Sequence, residues 1–267
     1  MPASVKLYDP SKVNAAYRLR FTWTGWLSEG AEQSWPTNLS ETIKPLWETD
    51  GLRCLQASRQ ADQVKLVFSA QPIVSPILLA TRAKGRLDYA LRTQAIPHRF
   101  RRKLAVRSLG ENTRDEVGQY LASQIEAAQF VDPRFESLLK DYTMHFPCID
   151  LKLPTNVLSG RYWYDLHIVL VTASRYRFVD MKSLATIRDA SIATAYTESY
   201  GLSRLSVMPD HLHLLLRGKL DQSPANIVAS FQNGIADAFG GVRIWQDSFY
   251  VGSVGEYNMN AIRNRFS

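Results

Sequence analysis

The sequence predicts an α+β protein in which one unit, an antiparallel sheet with helices on one face, is built twice. Two observations predict it. Four sequence blocks recur in the same order at a near-constant spacing. Within each series, short alternating strands are separated by helix-like stretches. ADQVKLVFSAQPIVSP around Asp62 recurs as PDHLHLLLRGKLDQSP around Asp210, 148 residues on, and Ser75-Pro76 recurs as Ser223-Pro224 at that same spacing. Both blocks follow a Gly-Leu opening, at Gly51-Leu52 and Gly201-Leu202. YRLRFTWT (17–24) matches YDLHIVLV (164–171), and LAVRSLGENTRDEVGQYLASQ (104–124) matches FYVGSVGEYNMNAIRNRFS (249–267), with Gly110 on Gly255. The expected division is a first domain over 1–128, a connector over 129–160 and a second domain over 161–267.

Each copy reads alike, element by element. An alternating strand opens it (17–25; 164–172), because apolar residues fall at every second position. A helix follows (39–48; 181–199), then a strand pair (52–58 and 63–69; 202–208 and 211–217). The Ser-Pro pair starts a second helix (75–92; 223–239), since proline suits a first helical turn. A further strand (100–107; 245–252) leads into a last helix (113–128; 258 onward). The connector carries Pro133, Pro147 and Pro154 with few periodic signals, and a helix is expected near 134–142.

Composition narrows the class. No apolar run reaches eighteen residues and no charged-then-apolar leader opens the chain. Cys54 and Cys148 fit neither a disulfide framework nor a zinc site. A reduced, cytoplasmic protein is therefore expected. Charge is uneven: residues 1–125 hold 18 Lys/Arg against 11 Asp/Glu, while residues 126–267 hold 14 of each. A concentrated basic excess suits a phosphate-bearing partner.

His211-Leu212-His213 is the sharpest local feature. On a strand, residues i and i+2 share a face, so both imidazoles project together while Leu212 enters the core. Two neutral imidazoles make half of a metal site. Tyr120 and Gln124 stand four apart on a helical stretch and emerge on one face, so a phenol and an amide can approach one phosphate. Arg99, Phe100, Arg101, Arg102 and Lys103 mix cations with an aromatic ring, which suits phosphate contact and base stacking. His98, His145 and His167 are read as structural.

PDHLHLLL followed by WQDSFYVGSVGEYNMNAIRN resembles the single-tyrosine HUH transposases of small insertion sequences (the 200/605 family, with the REP-associated tyrosine transposases). The resemblance covers the second copy and, more faintly, the first. It implies a pair of ferredoxin/RRM-like HUH domains. It also implies a histidine pair on a central strand, a tyrosine ten residues after a turn glycine, and a glutamine four residues later. His211 and His213 match the pair. Ten residues past Gly110 is Tyr120, followed by Gln124; ten past Gly255 is Arg265, with the glutamine position falling at 269. The first copy has Gln63-Val64-Lys65 in place of the histidines. The departures are complementary. Family members resemble homodimers that set one subunit's tyrosine helix against the other's histidine strand. A fused pair would thus assemble one site from His211, His213, Gln124 and Tyr120, and one dead site from Gln63, Lys65 and Arg265.

The resemblance implies a divalent metal, Mg2+ or Mn2+, on His211, His213 and Gln124. It implies single-stranded DNA, carrying the hairpin ends of a mobile element, as partner. It further implies cutting and rejoining through a 5′-phosphotyrosine on Tyr120, within an intramolecular pseudo-dimer. Two alternatives stay open. One is a lapsed transposase that grips hairpin DNA as a repressor. The other is a related nuclease using Tyr250 or Tyr257.

Overall fold

The computed structural model describes residues 6–12, 14–30, 32, 35, 39–128 and 133–259. Arg265, and the final helix expected from 258 apart from its first residues, lie outside them.

Two six-stranded sheets form the frame. In chain order the elements begin with β1 (Asn14–Arg18), β2 (Arg20–Glu29), α1 (Leu39–Thr49), β3 (Leu52–Gln60), β4 (Gln63–Ala70) and α2 (Pro76–Thr93). β5 (Arg99–Leu109), α3 (Arg114–Ala127), α4 (Pro133–Lys140), β6 (Thr143–His145), β7 (Thr155–Val157) and β8 (Gly160–Trp163) follow. The remainder comprises β9 (Asp165–Thr172), α5 (Met181–Glu198), β10 (Gly201–Val207), β11 (His211–Arg217), α6 (Pro224–Ala238) and β12 (Trp245–Val254). One sheet runs β3-β4-β2-β5-β8-β7 and the other β1-β12-β9-β11-β10-β6. The central order β3-β4-β2-β5 is repeated by β10-β11-β9-β12, the strands that the sequence blocks match.

Local chemistry explains the boundaries. Ser75 and Ser223 each cap a helix, accepting from the backbone N–H of Leu78 and of Asn226, with Pro76 and Pro224 in the first turn. Thr113 and Glu116 make a capping box at the start of α3. Leu212, Leu214 and Leu216 of β11 are fully buried together with Leu166, Ile168 and Leu170 of β9, facing α5 and α6 in the main core.

Three features differ from the sequence reading. Sheet faces are not covered from one side alone. α3, from the first half, packs Val117 and Leu121 on Leu215 and Val254, on the face of the second sheet opposite α5 and α6. The connector is no tether, because β6 joins the second sheet and β7 the first. The first strands also correspond differently. Arg20 pairs with Ser69 and Asp165 with Arg217, so Arg20 matches Asp165 at a spacing of 145 and not 147. A two-residue slip preserves strand alternation, so the hydrophobic pattern cannot detect it.

The halves exchange bonds reciprocally. β1 pairs in parallel with β12, and β8 in parallel with β5. Ser108 Oγ donates to Val254 O and Ser253 Oγ to Leu109 O, both at 2.5 Å. Arg114 N donates to Gly255 O at 2.9 Å and Met259 N to Gly110 O at 3.0 Å. Ile77 N donates to Leu220 O and Ala225 N to Pro72 O. In each case the second bond joins the sequence equivalents of the first. Glycine is required at the seam: a Cβ at Gly255 would stand 2.2 Å from Ser108 O.

Candidate nucleic-acid cleavage site

β11 holds His211 and His213 on the face that α3 covers, with their ring centroids 4.9 Å apart. Their surroundings organise both rings. His211 Nδ1 lies 2.7 Å from Asp210 Oδ1, an arrangement that leaves Nε2 as the free nitrogen. His213 is buried, and its Nδ1 meets His167 Nε2 at 3.0 Å. Burial, with His167 and His211 alongside, lowers the His213 pKa well below the ordinary value; burial alone takes His167 down to about 4. Both are neutral imidazoles near neutral pH.

α3 brings Tyr120 and Gln124 to the same place. The Tyr120 ring stands 5.7 Å from that of His213, edge to face, and is 51% exposed. Gln124 is buried and donates from Nε2 to Ser206 Oγ at 2.6 Å, and Ser206 is the cross-strand partner of His213. Thr143 Oγ1 meets the same hydroxyl at 2.8 Å. With its amide nitrogen so engaged, Gln124 Oε1 has no hydrogen-bond partner, nor does buried His213 Nε2. Buried polar atoms are seldom left bare. A nitrogen and an oxygen lone pair in this state, beside His211, fit a divalent cation of the Mg2+ or Mn2+ type. Among the described residues no group of three His, Cys, Asp or Glu side chains could hold a metal, so such a site needs the amide.

An ion cluster sets the helix on the sheet. Arg114, at the start of α3, places Nε 3.3 Å from Asp165 Oδ2, and Arg217 Nε lies 3.5 Å from Oδ1. Asp165 is fully buried. The equivalent positions are Arg20 and Ser69 in the first half and Met259 in the second, so the cluster occurs only beside the histidines.

His211, His213, Tyr120 and Gln124 are thus brought together from opposite halves of the chain. Gln63 and Lys65 occupy the matching positions on β4 in the other sheet. The stretch Arg99–Lys103 starts β5, in that other sheet. Its Arg99 pairs with Glu29 and Arg101 with Asp62, and Phe100 packs edge-on against Trp23 at 6.0 Å. The Phe100 ring therefore serves the core more than a ligand. Tyr257 packs by Val67, Leu109 and Met259, away from the histidines, whereas Tyr250 stands 5.9 Å from His167. His98 is tied to Ile96 O and Asp88, as a structural residue would be. Sequence reading took His167 as structural and missed Ser206 and Asp165. Only the alternation of β9, which puts Asp165 and His167 on one face, hinted at two of them.

The family described as transposase, IS200 like, matches residues 161–264. Among solved structures, a Deinococcus radiodurans R1 protein described as a transposase is 21% identical, with a TM-score of 0.32, over 38% of this chain and 87% of that one. A REP-associated tyrosine transposase bound to a REP hairpin is 16% identical, with a TM-score of 0.31, over 38% and 61%. No curated protein matches the chain. No helix among the described residues is long and apolar enough to cross a membrane. The part of the chain that carries the histidine pair thus matches the IS200-like transposases.

Proposed function

We propose that the chain is a DNA strand transferase of the single-tyrosine kind, a tandem duplication folded as an internal pseudo-dimer with one composite site. The supporting observation is the approach of Tyr120, from the first half, to His213, from the second, at 5.7 Å between ring centroids. The reciprocal bonds across the seam support the duplication, and the unpartnered His213 Nε2 and Gln124 Oε1 support the metal. DNA as partner rests on the family match and on the net charge of +7.

His211, His213 and Gln124 would hold the cation, which when bound supplies a Lewis acid for the scissile phosphate. Asp210 fixes the ring of His211, and Ser206 fixes the amide of Gln124. The half-exposed Tyr120 hydroxyl attacks phosphorus in line, and its proton passes to water. The bond from phosphorus to the upstream 3′ oxygen breaks, and that oxygen leaves as a hydroxyl after taking a proton from solvent. A 5′-phosphotyrosine remains on Tyr120. Attack by another strand's 3′ hydroxyl reverses the step and conserves the bond energy.

The test is a covalent-adduct gel with single-stranded hairpin DNA and Mn2+. Tyr120→Phe should lose the adduct while retaining DNA binding, because only the phenol oxygen is removed. Adduct formation undiminished in this variant would reject Tyr120 as nucleophile and point to Tyr250.

A further inference from the structure

Next to the histidine strand, the loop between β9 and α5 (residues 173–180) exposes Arg175, Tyr176 and Arg177 in succession. Tyr176 is 63% exposed. Ser174 and Arg175 adopt φ of 54° and 52°, a left-handed backbone that non-glycine residues avoid and that persists where surroundings impose it. Here the surroundings do. Thr172 Oγ1 donates to Tyr176 O at 2.7 Å, and Phe178 N donates to Pro209 O at 2.8 Å. Tyr176 stands edge-on to Phe178 at 5.0 Å, and Phe178 leans on Phe239. Arg175 Nη1 lies 3.5 Å from Asp210 Oδ2, and the other oxygen of that carboxylate holds His211. The loop is therefore bolted to the turn that opens β11.

Its chemistry is one-sided. Arg177 has no ion pair among the described residues, unlike Arg99 and Arg101 on β5. The matching loop of the first half, GAEQSWPTN (30–38), contains no Lys or Arg. The two arginines and the exposed ring lie within the loop of the copy with the intact histidines, whereas the ring of the first-half loop, Trp35, is partly buried with the Arg59 guanidinium over it at 4.5 Å.

We propose that the 173–180 loop is a platform for single-stranded DNA. On it Tyr176 stacks on an unpaired base and Arg177 neutralises a flanking phosphate, leading the strand to His211, while Arg175 holds the loop to Asp210. A single strand is the occupant because a protruding ring needs an unstacked base, which a duplex does not offer. The proposal rests on the reading above for what happens to the strand, but binding is measured apart from cleavage.

The experiment is fluorescence anisotropy of the full-length protein with a labelled single-stranded oligonucleotide in metal-free buffer, across a salt series. Tyr176→Ala should weaken binding roughly tenfold, and Tyr176→Phe should restore it, since stacking uses the ring and not the hydroxyl. Arg177→Ala should flatten the plot of log affinity against log salt by about 0.7 of a unit, the share of one phosphate contact. Wild-type affinity in Tyr176→Ala, or an unchanged salt slope in Arg177→Ala, overturns the platform even if Tyr120 still forms the adduct. Weakened binding by the loop variants, together with an adduct that survives Tyr120→Phe, keeps the platform and removes the nucleophile.

Discussion

At the scale of single residues, the chemistry of the site depends on which nitrogen of each histidine is free. His167 and His213 are both neutral, so across their 3.0 Å contact one ring donates and the other accepts. If His213 Nδ1–H donates, its unpartnered Nε2 keeps a lone pair. His167 then acts as the outer partner that orients a ligating imidazole, a role whose loss commonly costs 10–100-fold in metal affinity. We expect His167→Ala to weaken Mn2+ binding by about that factor, measured by titration calorimetry on the DNA-free protein. Affinity equal to wild type would make His167 a packing residue only. His211 and His213 were legible in the sequence because an i, i+2 pair shares a strand face whatever its partners are. His167 and Ser206 were not, because they reach His213 across the β9–β11 and β10–β11 registers.

At the scale of elements, α3 decides whether a tyrosine meets a histidine. Its four-residue Tyr-Gln spacing could be read from sequence, but its destination could not. The buried Arg114–Asp165–Arg217 cluster ties it to the second sheet. Burial raises the Asp165 pKa from its ordinary 3.8 to about 7, against the opposing pull of both arginines. The folded chain therefore holds a proton that the unfolded chain has already released between about pH 4 and 7. Stability should fall as pH rises through that window and level off above it. Asp165→Asn has no proton to hold, so its stability from urea denaturation should lack this decline between pH 4.5 and 8. A decline as steep as that of wild type would assign the pH dependence to other groups.

At the scale of the whole molecule, the two halves meet through reciprocal backbone bonds and exchanged strand ends, so each sheet is completed by the other half. A composite site within one chain should work without sharing between chains. Intramolecular pairing at high effective concentration outcompetes exchange. Mixing His211→Ala protein with Tyr120→Phe protein should then yield no adduct. Recovery on mixing would show that sites assemble between chains, with the chemistry untouched.

Most strands and helices and the recurring blocks were legible in the sequence by itself, because they follow from periodicity and spacing along one chain, whereas the complementary set His211, His213, Tyr120 and Gln124 rested on the family resemblance. The termini of β11 fell where its alternation placed them, and both Ser-Pro pairs became caps. What only the tertiary structure decided was adjacency. It laid α3 across the opposite sheet and corrected the first-strand correspondence to 145. It also drew the connector's β6 and β7 into the two sheets, and put His167, Ser206 and Asp165 around the site. The physical reason is that strand alternation is blind to a two-residue shift and to which sheet a helix covers. Those choices are set by packing of buried surface and by ion pairs between residues far apart in the chain.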